Sequence, residues 1–230
     1  MTILKDKKTA IIFGASGLVG GFCIKALLEN EAYQEVRSFG RRKLSINHEK
    51  LTQFIIDFEQ MEEIEPQIKG HDVFICLGTT RAKAGRDGFI KVDFDYSFNA
   101  AKHAVMNGAN QLLLVSSVGA DKNSFLLYSK TKGQLEEAVK RLPFWATHIL
   151  QPSLLLGARQ ETRIGEKMAI GISSIFNRFT DGLLGIYTPI EAETVAKAMV
   201  QLAQGIGGGV QVHTSAELIK MVEGKQLKIK

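Results

Sequence analysis

The sequence predicts an α/β protein in which a doubly wound parallel sheet carries helices on both faces. Three observations lead to this prediction. Short apolar segments alternate with longer segments of helical periodicity over the first two thirds of the chain. The apolar segments have few polar interruptions, as expected of parallel strands that are buried on both sides. The first of them ends in the glycine-rich stretch GASGLVG, at a strand-to-helix junction.

The predicted elements follow this alternation as far as Pro152. Strands are expected at residues 9–13, 35–39, 53–56, 72–77, 111–116 and 145–150. Helices are expected at residues 18–29, 59–68, 88–107 and 124–141. Gly108 and Pro143 follow the last two helices, and both residue types commonly mark the end of a helix.

The regular alternation stops after Pro152. Helical patterns cover residues 163–178, 191–204 and 215–222. The GIGGG stretch at 205–209 predicts a turn before a last strand at 210–213. Because no repeat, linker or change of composition divides the chain, residues 1–230 are expected to form a single domain.

The composition is that of an ordinary globular protein, with 45% hydrophobic and 23% charged residues. The net charge of +5 comes from scattered Lys and Arg rather than from a basic stripe, so nucleic acid is not an expected partner. Cys23 and Cys76 lie in apolar segments outside any Cys/His cluster, which predicts core thiols and no metal site. The chain shows neither a secretory signal nor an apolar run of about 20 residues, so we expect a cytoplasmic protein without an integral membrane segment.

The stretch GASGLVG has glycine at every third position and predicts a cradle for a phosphate group. Residues without Cβ permit a tight turn and close approach to a pyrophosphate, and the helix N-terminus then offers free N–H groups. This combination is typical of a Rossmann-type dinucleotide site, although Ser16 stands where the usual fingerprint has glycine. A tight turn with close helix packing is the alternative interpretation. The expected contacts are Gly14, Ser16, Gly17, Leu18, Val19 and Gly20.

The ends of the next strands refine the predicted cofactor. Arg41 and Arg42 follow the second strand, where a protein that prefers NAD usually carries an acidic residue for the ribose 2′-hydroxyl. Guanidinium groups suit a 2′-phosphate, so NADP(H) is expected, with a solvated basic loop as the alternative. Asp57 after the third strand could accept a hydrogen bond from adenine or cap a helix. The end of the fourth strand adds Leu77, Gly78 and Thr79.

Ser117, Tyr128 and Lys132 are the predicted catalytic residues, with Ser116 as the alternative serine. The serines close the fifth strand, and Tyr128 and Lys132 share a face of the following helix because they are four residues apart. A neighbouring ammonium stabilises a phenolate and thereby lowers the pKa of a phenol. Tyr128 can then donate a proton to a carbonyl oxygen as hydride arrives at carbon, while Ser117 binds the same oxygen.

The chain resembles the short-chain dehydrogenase/reductase superfamily, and above all its atypical short members, in GASGLVG, YSKTK and the Gln-Pro-Ser after the sixth strand. The longer strings GHDVFICLGTTRAKAG, VDFDYSFNAA and SSVGADKNSFLLYSKTKGQLE resemble the HIV Tat-interacting-protein (oxidoreductase) family. The resemblance implies a Rossmann fold, NADPH binding, and the Ser117, Tyr128 and Lys132 set. It also suggests cofactor contacts at Pro152 and Leu154. Asp93 departs from the superfamily, which often has Asn there.

In this superfamily the segment after the sixth strand builds the substrate pocket, so residues 157–190 are expected to form a small C-terminal lid. The favoured function is an NADP(H)-dependent oxidoreductase that reduces a small carbonyl substrate. The alternative is a non-enzymatic, NADP(H)-dependent redox-sensing protein that regulates a protein partner. A homodimer is compatible with an apolar lid. Sugar-nucleotide epimerisation ranks last because the region after Pro152 is small for such a ligand.

Overall fold

The computed structural model describes residues 7–157 and 188–226. Within them, seven parallel strands form one sheet in the order β3-β2-β1-β4-β5-β6-β9. The strands of this sheet are β1 (Lys8–Phe13), β2 (Tyr33–Gly40), β3 (Leu51–Ile55), β4 (Asp72–Ile75), β5 (Gln111–Val115), β6 (Ala146–Gln151) and β9 (Gly209–Thr214). The order confirms the doubly wound Rossmann-type sheet.

The sheet is buried on both faces, which explains why its strands are continuously apolar. Along β1, Ala10 and Ile12 pack into one hydrophobic core, whereas Ile11 and Phe13 pack into the other. Side chains of a strand point alternately to opposite faces, so a strand between two cores needs an apolar residue at every position.

The helices cover the two faces of the sheet. They are α1 (Leu18–Glu29), α2 (Arg81–Ile90), α3 (Ser97–Met106), α4 (Leu127–Val139), α5 (Ala192–Leu202) and α6 (Ser215–Gln226). The first core contains side chains of α1, α5 and α6, and the second contains side chains of α3 and α4. A 3₁₀ helix at Phe58–Gln67 follows β3, and Asp57 caps it by accepting a hydrogen bond from the N–H of Glu59 at 3.0 Å.

The predicted helix at 88–107 differs most from the structure. Helical backbone begins at Arg81 and runs through α2, a π-helical turn at Lys91–Tyr96 and α3, with a break at Gly85. The sequence pattern missed the first turns because Gly85 and Gly88 are weak helix formers. The other predicted strands and helices agree with the described elements to within a few residues. The helix predicted at 163–178 lies outside the described residues.

The C-terminal part adds a small second sheet, which the sequence did not predict. In it β7 (Leu155–Leu156) pairs in parallel with β8 (Ile190–Glu191). The backbone N–H of Ser153 donates to the Ser215 hydroxyl at 2.9 Å, and the hydroxyl of Ser153 donates to the carbonyl of Thr188. These bonds hold the chain after β6 against the start of α6 and against the segment that leads into α5. Most of the predicted lid, residues 157–190, lies outside the described residues.

Candidate active site

Glycine is required at two positions, one in the turn between β1 and α1 and one in the first turn of α1. Gly14 has a φ of +86°, and a Cβ there would lie 2.5 Å from the carbonyl oxygen of Cys76 at the end of β4. A Cβ at Gly20 would lie 2.1 Å from the carbonyl oxygen of Gly14. Real Cβ atoms do not approach backbone this closely, so the turn, α1 and the β4 end are packed against one another through glycine.

The first turn of α1 is left without a side-chain cap. Gly17 occupies the N-cap position, where it has no side chain to accept from the N–H groups of the first turn, and that turn contains no acidic residue. Uncapped N–H groups at a helix N-terminus attract anions. The turn lies at the carboxyl end of β1, beside the end of β4, where the strand order reverses. Ligands of such sheets usually bind at this switch point. The glycine turn therefore fits the pyrophosphate of a dinucleotide.

Arg41 and Arg42 lie exposed directly after β2, at the same edge of the sheet as the glycine turn. Their position is compatible with contact to the adenosine end of a dinucleotide, and their role stays a prediction. Asp57 is exposed and acts as the helix cap, which was one of its two predicted roles. Its contact with adenine stays a prediction.

The segment after β4 is hydrogen-bonded to Asp93, the residue that departs from the superfamily pattern. The backbone N–H of Thr79 donates to Oδ2 of Asp93 at 2.8 Å. A Cβ at Gly78 would lie 3.5 Å from Oδ1 of the same carboxylate. Gly78 and Thr79 therefore lie beside Asp93. The contact of Leu77, Gly78 and Thr79 with a cofactor stays a prediction.

Tyr128 and Lys132 lie on the first turns of α4, at the carboxyl edge of the sheet. Tyr128 is 45% exposed, and its ring packs on buried Phe89, with ring centroids 5.7 Å apart. Ser117 follows β5 and is half-buried, and its hydroxyl donates to the carbonyl of Val118 at 3.3 Å. The structure thus brings the three predicted catalytic residues to one edge of the sheet, with the tyrosine ring open to solvent.

Ser116 is engaged in a different, buried network. Its hydroxyl donates to Oε1 of Glu136, and the side-chain amide of Gln151 donates to both oxygens of the same carboxylate at 3.0 Å. Ser116 and Glu136 are each about 5% exposed or less. The network joins β5, β6 and α4 beneath the edge, and it explains the need for a serine at position 116 without any ligand.

Lys132 forms a buried ion pair with Asp93. The two charged atoms, Nζ and Oδ1, are 2.8 Å apart, and the side chains are 5% and 2% exposed. Burial by itself lowers the pKa of Lys132, but attraction to Asp93, together with Tyr128 and Glu136, exceeds that effect and raises the pKa. The lysine is therefore a fixed cation at the base of the site.

A glycine inside α4, Gly133, lets the loop between β5 and α4 pack closely on the helix. A Cβ at Gly133 would lie 2.2 Å from the backbone N of Lys122 and 2.6 Å from that of Asp121. The N–H of Asp121 donates to the carbonyl of Ser129 at 3.0 Å. The loop therefore folds back on α4, and the fully exposed side chain of Phe125 lies three residues before Tyr128. In the sequence, a glycine at the centre of the helix predicted at 124–141 is the feature that indicates this close packing.

The last predicted contacts lie beyond β6. Pro152 is buried, and its carbonyl accepts from the N–H of Val118 at 3.0 Å, which joins the segment to the loop after Ser117. Leu154 is half-buried, and its carbonyl accepts from Ile190. Both lie at the edge that carries Ser117, and their contact with a cofactor stays a prediction.

The described residues contain no group of three or more His, Cys, Asp or Glu side chains arranged to hold a metal ion. None of the helices in the described part of the chain has the length and apolar character needed to cross a membrane.

The fold and the glycine turn together define a Rossmann-type nucleotide-binding protein. A family model described as NAD(P)H-binding matches residues 14–168. The chain therefore belongs to the NAD(P)H-binding family. Protein HTATIP2 of Rattus norvegicus is 39% identical over 208 residues, which cover 89% of this chain and 84% of the rat protein. The family resemblance predicted from the sequence is confirmed.

Two further similarities extend this result. The mitochondrial protein FMP52 of Candida albicans is 35% identical over 209 residues, which cover 87% of this chain and 90% of the fungal protein. The structure of the Bordetella bronchiseptica enzyme WbmG in complex with NAD matches with a TM-score of 0.67 and 13% identity, covering all of this chain and 80% of WbmG. At that identity the likeness shows the fold alone.

The expected cytoplasmic location is wrong. Several fungal relatives carry the name FMP52, mitochondrial, and this finding contradicts the expectation. The expectation rested on the missing secretory signal and membrane span. Those features address secretion and membrane insertion, and they do not distinguish a mitochondrial protein from a cytoplasmic one.

Proposed function

We propose that this protein is an NADP(H)-dependent oxidoreductase that reduces a small carbonyl compound to an alcohol. The observation that carries the proposal is the position of Tyr128 and Lys132. A solvent-accessible tyrosine and a buried ammonium lie one helical turn apart, at the sheet edge that also carries the glycine turn. Such a pair has a proton to donate and a fixed positive charge beside it, which is the equipment of a general acid.

The residues divide the chemistry between binding and proton transfer. Bound NADPH supplies the hydride that reduces the carbonyl carbon. Tyr128 donates its hydroxyl proton to the carbonyl oxygen, and solvent returns a proton to the phenolate, so that one carbonyl group becomes one alcohol. Ser117 donates a hydrogen bond to the same oxygen. Lys132 stabilises the phenolate and binds the nicotinamide ribose.

The proposed preference for NADP(H) rests on Arg41 and Arg42. Both lie exposed after β2, where paired guanidinium groups can bind a 2′-phosphate. Fluorescence titration of the protein with NADPH and NADH tests the preference, and tighter binding of NADH would contradict it. The double variant Arg41→Gln/Arg42→Gln should then bind the two cofactors with similar affinity, because the 2′-phosphate has lost its partners.

The test of the reaction is Tyr128→Phe, assayed against a panel of aldehydes and ketones. We expect affinity for NADPH to be nearly unchanged and turnover to fall by at least about 100-fold, the usual contribution of a general acid. Tyr96→Phe is the matched control, because it removes a hydroxyl that donates to Glu59 instead. Turnover by Tyr128→Phe equal to that of the control would refute the proposal.

A second candidate function has its own supporting observation. The side chain of Phe125 is fully exposed and that of Leu126 is 65% exposed, just before Tyr128. Exposed apolar side chains beside a ligand site are often part of a binding surface. The protein would then regulate a partner according to NADP(H) occupancy. A pull-down that captures the same partner proteins with and without NADPH would contradict this second candidate function.

A further inference from the structure

The carboxylate of Asp93 joins two parts of the site that are far apart in sequence. Its Oδ1 lies 2.8 Å from Nζ of Lys132 on α4. Its Oδ2 accepts the backbone N–H of Thr79, which follows β4, at 2.8 Å. One buried anion therefore contacts both the lysine and the segment beside the cofactor crevice.

A π-helical turn accounts for the position of Asp93. The turn, Lys91–Tyr96, lies between α2 and α3 and packs against α4. Turns of this kind are rare, and they occur frequently at functional sites. Asp93 is 1% exposed, whereas Asp95 in the same turn is exposed. The turn thus directs one of its two aspartates inward.

Among the residues that the structure describes, three charged or titratable groups act on Lys132. Tyr128 and Glu136 lie on α4 itself, whereas Asp93 reaches the lysine from the π-helical turn. Glu136 already accepts hydrogen bonds from Ser116 and Gln151. A buried ammonium without a paired anion is costly and tends to lose its proton.

We propose that Asp93 is a positioning residue that holds Lys132 and the Thr79 segment in the arrangement that binds NADP(H). The inference rests on the proposed function, since that function assigns Lys132 to the cofactor. An ammonium has three N–H donors, so the bond to Asp93 leaves two for ribose hydroxyls. An asparagine at position 93 could accept from Lys132 or from Thr79 through its one oxygen, but its NH₂ group could not accept from the other.

The proposal predicts how the affinity for NADPH depends on pH. In the wild-type protein the pKa of Lys132 is raised, so the lysine stays charged through pH 9.5. The affinity should therefore be flat from about pH 7, above which the 2′-phosphate is doubly ionised, to about pH 9.5. In Asp93→Asn burial is no longer offset, so the lysine loses its proton at a lower pH. We expect binding about tenfold weaker at pH 7, the usual effect of losing a hydrogen bond to a charged group, and weaker still as the pH rises.

Asp95→Asn is the matched control, because it removes a charge from the same turn without touching Lys132. Dissociation constants for NADPH are measured by fluorescence for the three proteins across the pH range, beside thermal melting. If Asp93 had a purely structural role, Asp93→Asn would lower the melting temperature and leave the pH dependence of NADPH binding unchanged. If Asp93→Asn binds NADPH with the same affinity and the same pH profile as Asp95→Asn, the proposal is overturned.

Two measurements keep the test decisive if Asp93→Asn does not fold. Asp93→Glu retains the negative charge and should keep the flat pH profile, even with weaker binding. In the wild-type protein, ¹³C NMR of isotopically labelled lysine should show that Lys132 titrates above the ordinary lysine value of about 10.4. Titration below that value overturns the proposal. A wild-type protein that binds neither NADPH nor NADH would instead refute the proposed function.

Discussion

The substitution Gly20→Ala tests the packing of the cofactor turn. The added Cβ would lie 2.1 Å from the carbonyl oxygen of Gly14 and 2.8 Å from its carbon. That carbonyl already accepts the N–H of Gly17 at 2.9 Å, so it cannot turn away without breaking the turn. The adjacent Gly21 is a matched control, because its Cβ would meet only the carbonyl oxygen of Ala15, at an ordinary 3.7 Å.

The two substitutions should have opposite effects on stability. Replacing glycine by alanine inside a helix stabilises a protein by about 0.5–1 kcal/mol, and Gly21→Ala should gain that amount. At Gly20 the same gain is outweighed by overpacking, which costs about 1–3 kcal/mol and falls at the upper end here because backbone must move. The net loss is about 1–2 kcal/mol. In a chain of this size that lowers the melting temperature by about 2–8 °C.

Thermal and urea denaturation measure the stability of both variants, and fluorescence titration measures their affinity for NADPH. Gly20→Ala should bind NADPH at least about tenfold more weakly, because the shifted backbone no longer presents its N–H groups to the pyrophosphate. Gly21→Ala should bind like the wild type. Equal stability of the two variants, or wild-type affinity in Gly20→Ala, would show that the turn does not need glycine for the reason given.

Two further predictions concern a buried histidine and the two serines that follow β5. Burial and the neighbouring His213 lower the pKa of His148 to about 4. Since the unfolded value is about 6.5, His148 contributes stability above pH 6.5 that is lost as the pH falls toward 4; after allowance for screening, about 1 kcal/mol is lost at pH 5. His148→Gln should remove most of this dependence in urea denaturation, and an unchanged dependence would contradict it. Ser117→Ala should lower kcat by about 100-fold, whereas Ser116→Ala should mainly lower stability by about 1 kcal/mol. The reverse pattern would make Ser116 the reacting serine.

Local rules were sufficient for most of the fold. The strands were found because a sheet buried on both faces needs continuous apolar residues, and β1 shows this at Ala10 to Phe13. The glycine turn was found because a positive φ at Gly14 and a close approach at Gly20 exclude other residues. The start of the helix predicted at 88–107 was misplaced because Gly85 and Gly88 are weak helix formers, and the sequence therefore gives no helical signal for α2. Tertiary packing outweighs helix propensity there.

Contacts between distant residues could not be predicted in the same way. Asp93 drew notice only as an exception, and nothing near it in the sequence indicates a partner 39 residues away. Ser116 and Ser117 are neighbours of the same type, and only the carboxylate of Glu136 beneath one of them separates their environments. The small sheet of β7 and β8 joins segments of two residues each, which carry no periodic pattern.

The sequence by itself determined the parallel sheet, the glycine turn after the first strand, the cofactor class and the placement of Tyr128 and Lys132 on one helical face. All of these depend on spacing within a few residues or on the conformational limits of one residue type. The tertiary structure alone decided that Lys132 is buried against Asp93 and that this carboxylate also holds Thr79. Charge pairing depends on distance in space and on exclusion of water, and both are properties of the packed chain.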